Sequence, residues 1–247
     1  MGPRHPDRVF RWRERIGEEP AGYRTLTDRA YDQIRTRIMT GDFAATTPFT
    51  EADLARELQM SKTPVREALV RLQTEDFVRA IPRRGYIVAP VQIAEIRDLF
   101  GFRALIEGEA AALAARHAGP DRLEELEELI RIDAENDSEG SQRVARMILI
   151  NNAFHETIAL GAGNRRLHRS TVQIIREFER FYFLEASLPE FYDPGFVGHE
   201  AVLEAISGGE PEIARTRMKE HVDSSRRVLS KAISEGMAPA SSLPIML

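Results

Sequence analysis

The spacing of apolar residues changes several times along the chain, and each change marks an element. From Leu26 they recur with helical period. Thr27 or Asp28 can cap a helix running to about Thr40, with Tyr31, Ile34 and Ile38 on one face and Gly41 as its stop. Thr50 caps a second helix, Glu51 to Gln59, that turns Leu54, Ala55 and Leu58 inward. Ser61 caps a third, with Pro64 in its first turn and Val65, Ala68, Leu69 and Leu72 on its apolar face. Only Gln59, Met60 and Ser61 separate the second and third helices, which is helix-turn-helix spacing. Two β-prone runs follow, Phe77 to Ile81 and Tyr86 to Ala89, joined by the basic turn Pro82-Arg83-Arg84-Gly85. Three helices and a basic hairpin make a winged helix.

Pro90 breaks the chain, and the pattern afterwards is helical throughout. Six segments are expected: Ile93 to His117, Asp121 to about Asp137, Gln142 to Leu160, Arg165 to about Ser187, Gly195 to Ser207, and Pro211 to about Glu235. Their lengths and short connections predict an antiparallel bundle. The fold class is therefore mainly α, an N-terminal winged helix-turn-helix before an all-α six-helix bundle. Residues 1–23, with five arginines and no apolar period, read as an arm, 24–90 as the winged helix, 91–235 as the helical domain and 236–247 as a tail.

Composition narrows the function. The 247 residues contain no cysteine, so disulfides are excluded, and any metal must be held by His, Asn, Asp, Glu or water. No apolar run reaches the roughly 18–20 residues needed to cross a bilayer, and the arginine-rich start lacks the apolar core of a secretory signal. A cytoplasmic protein without membrane contact is expected. The net charge of −5 is uneven. Residues 1–90 carry 16 Lys and Arg against 13 Asp and Glu, a net of +3; residues 91–247 carry 18 against 26, a net of −8. The basic excess lies where nucleic acid would be met.

The stretch Asp53-Leu54-Ala55, Ser61-Lys62-Thr63-Pro64-Val65-Arg66-Glu67-Ala68-Leu69, Arg71-Leu72 and Arg83-Arg84-Gly85-Tyr86-Ile87-Val88 resembles the DNA-binding domain of the GntR family of bacterial regulators. The second half resembles the FCD sensor domain of its FadR subfamily. Its marks are Phe102-Arg103-Ala104-Leu105-Ile106-Glu107, Phe154-His155, Gly163-Asn164, His199-Glu200-Ala201-Val202-Leu203-Glu204-Ala205-Ile206 and Glu220-His221-Val222. Six sensor helices match the VanR-type group better than the seven-helix group. The chain departs from the family at Ala44-Ala45-Thr46-Thr47-Pro48, where Pro-Gly is usual, at Asp76, where Gly is usual, and at Ala52, where a DNA-contacting Arg is common.

The resemblance implies a ligand-responsive transcription factor, a repressor in most of the family, acting as a homodimer on double-stranded operator DNA. A recognition helix reads bases from its N-terminal turns. That places Lys62, Thr63 and Arg66 against the major groove, Ser61 with the helix N-terminus at a phosphate, Arg71 toward the DNA backbone, and Arg84 and Gly85 at the wing tip. A lone Lys-x-x-x-Arg is usually a solvated face; the cap, proline, apolar stripe and hairpin give it its meaning here.

In the FCD family an Asp and three His hold a divalent metal, and His155, His199 and His221 match the His positions. Asn151, one helical turn before His155, stands where the Asp is usual. Three imidazoles and an amide favour a transition metal, zinc or nickel, over magnesium. The resemblance also turns Arg103 toward the cavity, where its fork could hold a small carboxylate effector. The plain alternative is an Arg103–Glu107 pair on the helix, with Glu107 structural. His5, His117 and His168 read as surface or packing residues. The rival function is a metal hydrolase with an accessory winged helix, since three His and an open position also serve zinc catalysis. The sequence offers no His-Glu-x-x-His motif for it.

Overall fold

A computed structural model describes residues 25–39, 42–43, 47–89, 91–135, 140–186, 195–234 and 245–246. The N-terminal arm, the Gly41 stop, Ala44 to Thr46, the Pro90 break, the expected helix ends at Asp137, Ser187 and Glu235, and the start of the tail at Gly236 lie outside the described residues. Three helices open the fold: α1 (Leu26–Met39), α2 (Glu51–Glu57) and α3 (Lys62–Thr74). They are followed by β1 (Val78–Ile81) and β2 (Gly85–Val88), then β3 (Val91–Gln92). The second half is α4 (Ile93–His117), α5 (Pro120–Ala134), α6 (Gly140–Gly161), α7 (Arg165–Ala186), α8 (His199–Ser207) and α9 (Pro211–Ser234), with β4 (Ile245–Met246) near the end.

The winged helix forms for the reasons its sequence states. Val65, Ala68, Leu69 and Leu72 of α3 are fully buried against Ile34 and Ile38 of α1 and Leu54 of α2. Thr50 caps α2 by accepting a hydrogen bond from the Asp53 amide at 3.2 Å. Two caps differ from expectation. Thr25, ahead of Thr27 and Asp28, starts α1, because its hydroxyl accepts the Asp28 amide at 3.0 Å. Ser61 sits at the N-cap of α3 in extended conformation but makes no side-chain cap bond, so the first amides of α3 are left to other acceptors. Asp76 adopts φ +56°, the left-handed conformation a glycine would favour, and Asp is among the few other residues that tolerate it.

The hairpin pairs Val78 with Val88 and Ile81 with Gly85 in antiparallel register. Gly85 (φ +96°) is needed inside the fold: a Cβ there would lie 2.3 Å from the carbonyl oxygen of Phe49, whose backbone bridges to Tyr86. The exposed tip is therefore Pro82, Arg83 and Arg84.

All six expected sensor helices form, with ends shifted by a few residues. α4 packs most extensively on α9. Gly108 of α4 gives room to the Lys219 side chain of α9, which a Cβ would meet at 3.2 Å, and on another side a Cβ at Gly161 of α6 would meet Ala114 of α4 at 3.6 Å. The two halves touch: Arg35 of α1 forms an ion pair with Glu179 of α7, a carboxylate that also accepts from Asn152 of α6. Near the end, Val91–Gln92 pair in parallel with Ile245–Met246, a two-residue pairing too short to leave a period in the sequence. No helix among the described residues is long and apolar enough to cross a membrane.

Candidate functional site

The pocket lies inside the helical domain. Arg103 and Glu107 come from α4, Asn151 and His155 from α6, His199 from the first residue of α8 and His221 from α9. The four-residue spacing of each pair puts both members on one helix face. Candidate ligand atoms of His155, His199 and His221 all lie within 4.8 Å of one another. Asn151 is buried on the same helix face as His155 and lines the same cavity as His199 and His221.

The ring nitrogens are oriented by their surroundings. His221 Nδ1–H donates to the Val197 carbonyl at 2.7 Å, which leaves Nε2 as the lone-pair nitrogen. His155 Nδ1 meets the Glu107 carboxylate, and its Nε2 is buried without a hydrogen-bond partner among the described residues. His199 stacks on Phe154 with ring centroids 4.1 Å apart, and its Nε2 is likewise buried and unpartnered. Burial lowers the pKa of His221 to about 3, with His155 adding to the effect. Burial first, then His221 and His155, hold His199 well below the usual histidine range. Both rings are neutral near pH 7, the form that coordinates. Buried lone pairs with no protein partner suit a divalent ion, so this residue set fits the metal that the resemblance implies.

These depressed pKa values set a pH dependence. An unfolded His takes a proton near pH 6.5, whereas folded His221 waits until about 3. Between those limits the unfolded chain binds more protons, so stability falls as pH drops below about 6.5. We expect the urea midpoint of chelator-treated protein to fall between pH 7.5 and pH 5. A midpoint that holds or rises would contradict the buried neutral rings.

Glu107 is the residue that sequence reasoning undervalued. Read from the sequence as structural, one half of a helix pair with Arg103, it is 1% exposed, like Arg103. It accepts from Arg103 Nε at 2.6 Å and faces His155 Nδ1. Burial pushes its carboxyl up, but the Arg103 guanidinium and His155 outweigh burial and hold it well below the usual carboxylate range. A carboxylate behind a metal-facing imidazole fixes that ring's orientation. The i, i+4 spacing of Arg103 and Glu107 was the available signal; what it lacked was their burial.

Arg103 has capacity to spare. Its guanidinium lies 3.9 Å over the Phe178 ring, and Nη1 is buried with no hydrogen-bond partner among the described residues. The cavity of about 120 Å³ is lined by Arg103, Asn151, His199, His221, Asp133 and Glu200, with Phe178 and Phe196 as apolar wall. Asp133 was not foreseen. Burial first, then the neighbouring Glu200, raise its carboxyl to about 6, against the pull of Arg143. His168 lies outside the pocket, with Nε2 3.0 Å from Glu156, and His117 ends α4.

The other sequence-expected residues form a separate surface on the winged helix. Ser61, Lys62, Thr63 and Arg66 are exposed along the start of α3. Lys62 stands free of ion pairs among the described residues, whereas Arg66 Nε and Nη2 grip Glu51 of α2 at 2.9–3.1 Å. Arg71 pairs with Asp28 at 3.1 Å and lies 4.0 Å over the Tyr31 ring, so it braces α3 against α1. Arg84 is exposed at the tip of the hairpin, and Gly85 follows it in β2.

Residues 26–88 match the family described as bacterial regulatory proteins, gntR family, and residues 98–224 match the FCD domain. The chain is 31% identical over 131 residues to the Nta operon transcriptional regulator of Aminobacter aminovorans, covering 53% of this chain and 60% of that protein. It is 23% identical over 212 residues to the HTH-type transcriptional repressor GlaR of Escherichia coli, covering 83% of this chain and 96% of that one. The matched region is less than two thirds of the Nta operon regulator's length, and 56% of that of a regulator from Agrobacterium vitis. Among solved structures, E. coli McbR/YncC superposes with a TM-score of 0.67 at 23% identity, over 85% of this chain and 99% of that one. At that identity the likeness speaks for the fold.

Proposed function

The chain belongs to the GntR family of bacterial regulatory proteins and carries an FCD domain, and from that premise we propose that it is a cytoplasmic repressor that binds operator DNA as a homodimer and responds to a small carboxylate at a metal-containing pocket. The observation that supports the sensing part is the meeting of three imidazoles, with ligand atoms within 4.8 Å of one another, beside a buried arginine whose Nη1 has no partner among the described residues. His155, His199 and His221 would hold the ion and Asn151 would be a weaker fourth ligand, since its amide oxygen is neutral. The metal, zinc or nickel, would supply a positive centre for an oxygen of the effector, and Arg103 would hold the carboxylate by charge-assisted hydrogen bonds.

At the other end, Lys62, Thr63 and Arg66 read base edges, Ser61 and the α3 N-terminus meet a phosphate, and Arg84 at the exposed tip approaches the adjacent groove, with Gly85 setting the turn beneath it. Arg66 must leave Glu51 to do so. Effector binding alters the spacing of the two winged helices and so the fit to a two-fold site. The deciding experiment uses DNA from upstream of the protein's own gene. Purified protein should retard it, and a small carboxylic acid should reverse the retardation only when metal is present. Retardation insensitive to every acid and to chelator would remove the sensing half of the reading.

Two further outcomes are expected. Lys62→Ala and Arg66→Ala should each cost about 1–3 kcal/mol at the operator and relax specificity there. Arg71→Ala should weaken all sequences nearly equally and flatten the salt dependence. Fluorescence anisotropy against operator and scrambled duplexes separates these; unchanged operator affinity in Arg66→Ala would mean that α3 does not read the groove. The dimer is expected to join through the sensor bundles, where Phe102 and Leu105 of α4 stand 46% and 64% exposed. Leu105→Asp should shift light scattering from dimer toward monomer mass, and an undiminished dimer would exclude this face.

A further inference from the structure

Asp133 and Glu200 are not needed by the reading above. Asp133 lies near the end of α5 and Glu200 in the first turn of α8, yet both line the cavity that holds Arg103. Glu200 has a local reason for its place, because a carboxylate suits the first turn of a helix. Asp133 has none: it is half-buried, shares its pocket with a second carboxylate, and among the described residues has only the exposed Arg143 to offset that repulsion. Two acceptor-only groups lining one cavity, Asp133 half-buried and Glu200 exposed, raise the energy of the empty pocket. They lower it again when a cation with several donors sits between them. Arg103, which lines the same cavity, has the opposite character: it is 1% exposed and keeps Nη1 without a partner among the described residues. The cavity thus offers a donor for an anion and acceptors for a cation.

We propose that the effector is zwitterionic, an amino acid or a close relative, with its carboxylate on Arg103 and its ammonium between Asp133 and Glu200. This rests on the carboxylate-sensing reading and sharpens it. An ammonium carries three donors for two carboxylates, and holding both charged ends at once rejects acids that lack the amine. A cavity of about 120 Å³ is on the scale of such a compact molecule.

The test uses the full-length zinc-loaded protein, freed of excess metal, and a calorimetric panel. The probes are the standard amino acids, their equal-length acids without the amine (alanine against propionate, aspartate against succinate, glutamate against glutarate), and the N-acetyl derivatives, which keep the carboxylate and lose the positive charge. At least one amino acid should bind roughly tenfold or more tighter than both its deaminated and its acetylated partner. Asp133→Asn and Glu200→Gln, which keep the side-chain shape, should each narrow that gap. Deaminated acids that bind as well as or better than every amino acid would overturn the proposal while leaving carboxylate sensing intact, as would a gap that survives both substitutions. Arg103→Ala separates the underlying reading: if it leaves binding of both classes unchanged, carboxylate recognition by Arg103 fails. If neither class binds the wild type at millimolar concentration, both fail together.

Discussion

Glu107→Ala is expected to reduce the unfolding free energy by about 3–5 kcal/mol, the range for removing one partner of a buried ion pair. The magnitude follows from burial. Arg103 and Glu107 are each 1% exposed, and without Glu107 the guanidinium would keep its charge with the Phe178 and Phe100 rings as its nearest compensation. A second effect is independent of stability. With no carboxylate behind Nδ1, the His155 ring loses its orientation, and metal affinity should fall about 10–100-fold. Arg103→Leu with Glu107→Leu removes both charges and should be much milder for folding than Glu107→Ala alone. Urea unfolding of the three proteins, with zinc titration by a competing chelator, reads both effects. A loss below about 0.5 kcal/mol in Glu107→Ala, the scale of a solvated helix pair, would mean that the charges reach water.

The second large effect concerns the ion itself. Wild-type protein is expected to gain about 4 kcal/mol of stability when free zinc exceeds its dissociation constant a thousandfold, and the triple variant His155→Ala, His199→Ala, His221→Ala should gain nothing. His199→Ala alone is a gentler check, because His199 is only partly buried at the start of α8. Asn151→Asp should act in the opposite direction and tighten zinc, since a carboxylate is a better ligand than an amide for a cation. Metal analysis after gel filtration, followed by melts with and without zinc, gives the answer. Equal metal content in wild type and triple variant would eliminate the site.

What the sequence made legible is what repeats. The apolar period places Val65, Ala68, Leu69 and Leu72 inward on α3, and the punctuation by Gly and Pro separates the sensor helices with errors of a few residues. Residues that act through burial were harder to read. α4 is rich in small apolar residues on several faces, so no polar stripe shows that Arg103 and Glu107 lie inside. Asp133 follows Glu124, Glu125, Glu127 and Glu128 on α5 and reads as one more solvated acid, until the helix packs and carries it to the cavity. The Thr25 cap is local, its hydroxyl reaching three residues on to the Asp28 amide, and sits just before Leu26 where the apolar period begins. For Arg103, Glu107 and Asp133 the missing information is a contact between elements distant in sequence.

The Glu51–Arg66 pair bears on how a regulator finds its site among a genome of similar phosphates. Arg66 is occupied before DNA arrives, held by a carboxylate about 3 Å away on the neighbouring helix. An exposed pair of this kind is worth about 0–1 kcal/mol, which is little against a well-placed guanine but comparable to a passing phosphate. If α3 meets the groove as proposed, Glu51 would act as an internal competitor that random duplex must displace for no lasting contact, and would bring its own negative charge close to that DNA. The pair would then favour short residence on bulk DNA, and Arg66 would commit only where a base edge offers both of its hydrogen bonds at once.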